Sequence, residues 1–226
     1  MARREPPCVG GGRRIDARWA SRYDTPMAGS DLPLLTFVDA AAFEAWLADQ
    51  LLDCLGAWLR FAKQGAPEAT ISKSDAVDSA LAHGWIDGQL GRVDAHFLKT
   101  RFTPRKPRSG WSQINRERVE KLTASGRMTA RGEARVDEAK SDGRWARAYA
   151  PQGSAIPDAD LEAALDLMPE ASAAFDTLDA ANRYAVLYRV QTAAPTKRAA
   201  KIADLVSMLA RGDTVHPRRV GKDSTP

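Results

Sequence analysis

The sequence predicts an α+β fold: a small mixed or antiparallel sheet with helices, followed by an all-α helical bundle. Residues 31–149 alternate short extended segments with amphipathic helical ones, whereas residues 150–212 show only the helical period. The content of 44% hydrophobic and 27% charged residues is that of an ordinary globular protein. The ends differ in composition, so residues 1–30 are expected to form a disordered Arg/Gly-rich tail and residues 213–226 a flexible one.

The first elements alternate between strands and capped helices. A short strand at 33–39 leads into a helix with Asp39 as its N-cap, because apolar residues then recur at the spacing of one helix face. In residues 56–65, successive side chains alternate between two faces, as they do in a strand. A second helix follows, with Ser72 or Ser74 at its N-terminus.

The middle of the sequence predicts a hairpin and a further helix. Residues 85–104 form two extended stretches, in which Gly88 and Gly91 allow a bend or bulge. The next helix is expected to turn Ile114 and Val119 inward. A helix that starts at Thr129 and ends near Gly143 completes this part of the chain.

The remaining sequence is entirely helical in character. After a loop rich in Pro, Gly and Ser (150–157), the helical segments are joined by short links, which predicts an antiparallel bundle. The last segment has one continuous apolar face, formed by Ile202, Leu205, Val206 and Leu209.

Positive charge is concentrated at the ends of the chain and in one internal segment. The net charge of +4 comes from residues 1–26 and 211–226, since the remainder sums to −1. Within that remainder, residues 99–127 carry nine Lys and Arg residues against two Glu residues. The basic pI therefore says little about nucleic-acid binding by the folded part, whereas the internal segment is locally cationic.

Several classes of protein are excluded by composition. Cys8 and Cys54 are the only cysteines, too few for a disulfide framework or a thiolate metal site, which suits a reducing cytoplasm. No stretch reaches the roughly 18 apolar residues of a membrane span. The first residues lack the apolar core of a secretory signal, and Met27 is a candidate start. No phosphate loop, dinucleotide fingerprint or zinc signature is present, so neither a cofactor nor a metal is expected.

The cationic segment combines basic, aromatic and small polar residues, which favours a site for an anion. Arg101 and Arg105 flank a Phe-Thr-Pro turn, where long basic side chains can converge on a cleft. A helix that starts nearby adds free N–H groups and the positive end of its dipole. The competing interpretation is a solvated charged rim around a packed tryptophan. The expected ligand-binding residues are Trp85, Asp87, Arg101, Phe102, Arg105, Ser109, Trp111, Ser112 and Asn115.

Two residues are candidates for acid–base chemistry. Asp87 could form an ion pair with Arg101 or Arg105, or it could serve as a general base. His96 could also transfer a proton, although an isolated histidine near a strand is more often a capping or core residue. A third interpretation is contact with single-stranded nucleic acid, which basic and aromatic residues together suit. The near-neutral charge outside the tails counts against it.

The blocks "GWIDG" and "RFTPR…SGWSQIN" stand in a fixed order with the later "ALDLMPEASAAFDTLDAANRYAVLYRVQTA". In this arrangement residues 32–216 resemble the bacterial YdeI/OmpD-associated family, often labelled bacteriocin-protection proteins. Gly110 departs from the family pattern, in which Asn is common before the tryptophan. The resemblance implies a role in survival under antimicrobial peptides or related stress, and it implies no particular reaction.

Together these observations predict a cytoplasmic bacteriocin-protection protein that works as a binding or regulatory module. Its partner would be an anionic small molecule or an acidic protein surface, recognised by the basic aromatic residues. Two alternatives remain: an enzyme for an anionic substrate with Asp87 or His96 as the acid or base, and a single-stranded nucleic-acid binder. The predicted domains are the tails, an α+β domain at 31–149 and a helical region at 150–212.

Overall fold

A computed structural model describes residues 32–51 and 53–217. The predicted tail at 1–30, with Met27, and the part of the 213–226 tail beyond residue 217 lie outside the described residues. The predicted α+β class is confirmed, because the described residues form a mixed sheet of four strands and eight helices.

The strands are β1 (Leu34–Leu35), β2 (Ala57–Ala62), β3 (Trp85–Arg92) and β4 (Phe97–Pro104). The helices are α1 (Ala40–Asp49), α2 (Lys73–Ala82), α3 (Gln113–Ala124), α4 (Ala130–Ser141), α5 (Ala159–Asp166), α6 (Pro169–Asp176), α7 (Ala180–Gln191) and α8 (Pro195–Ala210).

The described residues divide into two compact units. The sheet unit holds those up to Ser109 together with Glu117–Asp142, and the helical unit holds Gly110–Arg116 together with those from Gly143 onward. The domain boundaries drawn from the sequence stay a prediction, because compactness alone does not show which parts fold independently.

The sheet has the strand order β1-β2-β4-β3. β1 runs parallel to β2, and the other two pairings are antiparallel. The pairing of β3 with β4 is irregular between Asp87 and Leu90, next to Gly88, so the predicted bulge is confirmed. The hairpin brings Trp85 opposite Pro104, and there β4 ends.

An aromatic cluster forms the core of the sheet unit. The rings of Phe43 and Phe102 lie 5.7 Å apart edge to face, and those of Trp46 and Trp85 lie 5.5 Å apart in the same arrangement. Phe43, Trp85 and Phe102 are completely buried. These rings come from α1 and from two neighbouring strands, so their burial fixes α1 against the sheet.

The predicted helix starts are confirmed by side-chain caps. Asp39 accepts a hydrogen bond from the N–H of Ala42 at 2.8 Å, and Ser72 and Thr129 cap α2 and α4 in the same way. One residue of the predicted inward face of α3 is wrong. Val119 is buried as expected, but Ile114 is 45% exposed, because the buried neighbour on the same face as Val119 is Asn115, four residues before it.

The helical unit encloses one apolar core drawn from four helices. Pro169 separates α5 from α6, because a proline cannot continue the hydrogen bonds of the preceding helix. The buried side chains are Leu161, Leu165, Ala171, Phe175, Val186, Leu187, Val190, Ile202, Leu205, Val206 and Leu209.

Arg198 holds the start of α5 against α8. Its Nε and Nη2 donate to both oxygens of Asp160 at 2.6 and 2.8 Å, its Nη2 also donates to Asp158, and its Nη1 donates to the carbonyl of Val190 at 2.8 Å. The hydrogen bond from Arg198 is the largest cause that lowers the pKa of Asp160, and the carboxylates raise the pKa of Arg198 in turn. This two-pronged contact is the geometry that arginine offers a carboxylate.

We expect Arg198→Met to lower the free energy of unfolding by about 2 kcal/mol at pH 7, because charge-assisted hydrogen bonds and a carbonyl partner are lost. A carboxylate whose pKa is lowered on folding contributes stability above its unfolded pKa, and that contribution disappears as the pH falls through the folded value. The difference from the wild type should therefore shrink below about pH 4. Urea unfolding at several pH values measures it. Arg189→Met is the control, since Arg189 forms no ion pair within the described residues; an equal loss there would contradict the expectation.

Candidate functional site

The sheet unit contains a cavity of about 580 Å³ at the end of the β3–β4 hairpin. It is bordered by the segment before β2, by the residues where β3 begins and β4 ends, and by the first two turns of α4. The lining residues are Asp53, Cys54, Leu55, Gly84, Arg101, Thr103, Pro104, Arg105, Lys106, Pro107, Ala130, Arg131, Ala134 and Arg135.

Backbone contacts around the end of α2 build this cavity. The N–H of Arg105 donates to the carbonyl of Gly84 at 2.9 Å, which prolongs the hairpin pairing past Pro104. Gly84 has a φ of +76°, a conformation that glycine adopts without a Cβ clash. The backbone N–H and the hydroxyl of Thr129 both donate to the carbonyl of Ala82, at 3.0 and 2.7 Å. The N-terminus of α4 is thereby fixed beside the hairpin end.

The cavity is strongly cationic. Five of its lining residues are Arg or Lys, and Asp53 is the one carboxylate among them. Two of the arginines have partners elsewhere: Arg131 donates to the carbonyl of Gln50 at 2.8 Å, and Arg135 pairs with Glu138 at 3.0 Å. The first turns of α4 also direct the positive end of the helix dipole towards this region.

Arg101 contributes a guanidinium group to the cavity. It forms no ion pair with any residue in the described ranges, and within those ranges its buried Nε has no hydrogen-bond partner. Lys106, which is exposed, likewise forms no ion pair with a described residue. Arg105 is 5% exposed and follows β4 directly. A buried guanidinium N–H group such as that at Nε of Arg101 is costly to leave unsatisfied, so an anion would stabilise Arg101 in this position.

The aromatic residues expected at the site lie in the core instead. Trp85 and Phe102 are completely buried in the aromatic cluster, and neither lines the cavity. Arg101 and Phe102 are neighbours on β4, so their side chains point to opposite faces of the sheet. The sequence combined both faces into one site, whereas the pleat separates the cationic residues from the rings.

The two acid–base candidates also lie away from the cavity. Asp87 pairs with Lys73 at 3.8 Å, so its partner is neither Arg101 nor Arg105 as expected. His96 is exposed in the turn of the hairpin, where its backbone N–H donates to Asp94 at 2.7 Å. Five residues along β4, about 16 Å, separate His96 from Arg101, the first cavity residue on this strand.

Three further site candidates belong to the helical unit. Trp111 is 2% exposed, and its ring lies 4.9 Å from that of Trp145. Ser112 accepts a hydrogen bond from the N–H of Asn115 at 3.1 Å and so caps α3. Ser112 also forms a bridge with Tyr149. Ser109 belongs to the sheet unit, directly before Gly110, where the helical unit begins. Its N–H donates to the carbonyl of Lys106 at 3.1 Å and closes a turn.

The sequence reasoning missed the contribution of α4. Arg131 and Arg135 are four residues apart, so they lie on the same face of that helix. This spacing is a signal in the sequence, but it does not show which surface the helix packs against. The hydrogen bonds from Thr129 to Ala82 decide that, and they join residues 47 positions apart.

No helix among the described residues is both long and apolar enough to cross a membrane. No group of three His, Cys, Asp or Glu side chains among them is arranged to hold a metal ion.

Comparison with protein families assigns the two parts of the chain differently. Residues 154–212 match the family described as bacteriocin-protection, YdeI or OmpD-associated, so the predicted resemblance is confirmed for this part. Residues 35–135 match a domain of unknown function, DUF8412. The family expected over 32–216 is therefore found over its carboxy-terminal third. No curated protein and no solved structure matches the chain.

Proposed function

We propose that this chain, whose residues 154–212 match the bacteriocin-protection, YdeI or OmpD-associated family, is a binding or regulatory module that captures an anionic small molecule. The family match fits a role in bacteriocin protection. One observation supports an anionic ligand. Five cationic residues and a single carboxylate border one cavity, and Arg101 in this cavity forms no ion pair with a described residue. We propose the cytoplasm as its location, which cell fractionation tests.

Size and charge both support a small anion. A volume of about 580 Å³ is within the range of small-molecule sites. Arg101 and Lys106 have N–H groups to offer to phosphate or carboxylate oxygens, and the start of α4 adds a favourable dipole. An acidic protein surface is the alternative source of the same charge, and it would make contacts mainly with exposed Lys106 at the mouth.

The other two interpretations have less support from the geometry. An enzyme needs its acid or base within hydrogen-bond reach of the bound substrate, and Asp87 and His96 do not line the cavity. Single-strand binding needs exposed rings for base stacking, and Trp85, Phe102 and Trp111 are at most 2% exposed. Neither interpretation explains why Arg101 and Lys106 lack carboxylate partners within the described residues.

Arg101→Ala is expected to weaken the binding of the anion by about tenfold or more, since a charge-assisted hydrogen bond contributes about 1.5–3 kcal/mol. A panel of phosphorylated and carboxylated metabolites is first screened by thermal shift, and the Kd of each hit is then measured by calorimetry. Arg92→Ala is the matched control, because Arg92 carries the same charge on the same hairpin but donates to the carbonyl of Asp94 near the turn.

Two results would overturn the proposal. One is a panel in which no anion raises the melting temperature of the wild-type protein. The other is a set of anions that bind Arg101→Ala and Arg92→Ala equally well, since that would reflect net charge and not this cavity. Binding of a polyglutamate chain in preference to all small anions would assign the cavity to an acidic surface.

A further inference from the structure

We propose that the helical unit binds a cationic amphipathic helix of another polypeptide in an apolar groove between α8 and the α5–α6 junction. This groove has a volume of about 440 Å³ and is separate from the cationic cavity of the sheet unit. The inference does not depend on the anion proposed above.

One wall of the groove carries an exposed leucine, and the other wall carries alanines. Leu167, at the end of α5, is 86% exposed, and the partly buried Met168 follows it. On the opposite side, α8 contributes Ala199 and Ala203, which are exposed and four residues apart on one helix face. Small residues on one wall allow close approach of another backbone, and a leucine on the other wall can pack between its side chains.

These dimensions fit a helix. The lining residues of α8 run from Ala199 to Ser207, which corresponds to about 12 Å or two helical turns. An incoming helix would place apolar side chains at i, i+3, i+4 and i+7 against this length, the usual pattern of a helix bound in a groove. An exposed leucine contiguous with an apolar groove is also unusual for a surface that faces only water.

The charge of the surrounding segment defines the partner. Between Arg147 and Arg183 the sequence contains seven Asp and Glu residues and no Lys or Arg. Arg198 neutralises Asp158 and Asp160, and Asp179 caps α7. The other four form no ion pair within the described residues: Glu162, Asp166, Glu170 and Asp176.

Unpaired carboxylates on α5 and α6 give this side of the unit a negative potential. Asp166 is adjacent to Leu167, and Glu170 lies in the first turn of α6 beyond Met168. Lysines or arginines on the polar face of a bound helix would be within the roughly 10 Å over which such charges act at moderate salt. The partner is therefore apolar on one face and basic on the other.

The test uses a synthetic helix of 16 residues, the length of α8, built from leucine and lysine with leucines at helical spacing. Its binding to the full chain is measured by fluorescence anisotropy. Leu167→Ser should raise the Kd by about tenfold, because a buried leucine contact is lost. Leu90→Ser is the control, since Leu90 is an exposed leucine of the sheet unit. Circular dichroism checks that each variant is folded.

A second variant tests the charge. The combined change Glu162→Gln, Asp166→Asn and Glu170→Gln should raise the Kd about threefold to tenfold at low salt, and by less at high salt. Its control neutralises three exposed acidic residues of the sheet unit, by Glu117→Gln, Glu120→Gln and Asp137→Asn. Binding of the synthetic helix should be unchanged in Arg101→Ala, which shows that the groove and the anion cavity are different sites.

Three outcomes would overturn the inference. If a scrambled peptide of the same composition binds as well, the helix has no role. If a peptide with glutamine in place of lysine binds as well, the partner is not cationic. If Leu167→Ser abolishes self-association of the chain in light scattering, with no effect on peptide binding, the groove joins two copies of this protein instead.

Discussion

Replacing Gly132 with alanine is expected to lower the free energy of unfolding by about 2–3 kcal/mol. A Cβ atom at this position would lie 2.2 Å from the carbonyl oxygen of Ala82 and 2.9 Å from Cε of Met128. The side chain of Met128 can move, but the carbonyl at the end of α2 belongs to the backbone. Helix α4 would have to shift, which would strain both hydrogen bonds from Thr129 to that carbonyl.

Whether Gly132→Ala lowers or raises the free energy of unfolding shows how closely α4 packs on α2. In an unobstructed helix interior, alanine is about 1 kcal/mol more favourable than glycine. Denaturant unfolding of Gly132→Ala therefore separates a close approach of α2 and α4 from an open helix surface. Gly153→Ala is the control, since no atom lies within 4 Å of the added carbon. A stabilised Gly132→Ala variant would contradict the described packing of α4 on Ala82.

The same variant should affect the anion cavity, because Ala130 and Arg131 line it and belong to the first turn of α4. A shift of this turn would widen the distance between Arg131 and Arg101 across the cavity. We expect weaker binding of any anion identified in the metabolite panel, measured by calorimetry at a temperature where Gly132→Ala is folded.

Trp85→Ala is expected to have the largest effect on stability, a loss of about 3–5 kcal/mol. The indole is completely buried and packs edge to face on Trp46 at 5.5 Å. Its removal would leave a void between α1 and the hairpin. For a chain of this size, the melting temperature should fall by roughly 10 °C. Leu90→Ala, at an exposed position, should change it little.

A conservative variant separates the structural role of this tryptophan from the ligand contact that the sequence suggested. Trp85→Phe keeps a buried ring and should remain folded at 25 °C. We expect it to bind the anion as the wild type does, since Trp85 does not line the cavity. A loss of anion binding in folded Trp85→Phe, similar in size to that of Arg101→Ala, would show that the indole of Trp85 contributes to the anion site.

Most of the secondary structure could be predicted from the sequence, because it depends on neighbours along the chain. The caps at Asp39, Ser72 and Thr129 are set within three residues, and so are the strand alternation of β2 and the bulge beside Gly88. On α3 the inward position of Val119 was predicted correctly, but Ile114 is exposed and the polar side chain of Asn115 is buried in its place. Periodicity of apolar residues does not register such a position.

The candidate site was less predictable, because it depends on which faces meet. The sequence drew attention to Arg101 and Arg105, which both line the cavity. It grouped them with Trp85 and Phe102, which the strand pleat directs into the core. It did not connect them with Arg131 and Arg135, which lie about 30 residues further along the chain.

By itself the sequence determined the α+β class, the helix starts, the local excess of positive charge and the acidic character of α5 and α6. Each of these is a property of residues close together in the chain. Only the tertiary structure decided that the positive charge encloses a cavity and that an apolar groove adjoins the acidic helices. Such sites form where distant elements pack, and the contacts that position them, such as Thr129 with Ala82, join backbone groups that carry no sequence signature.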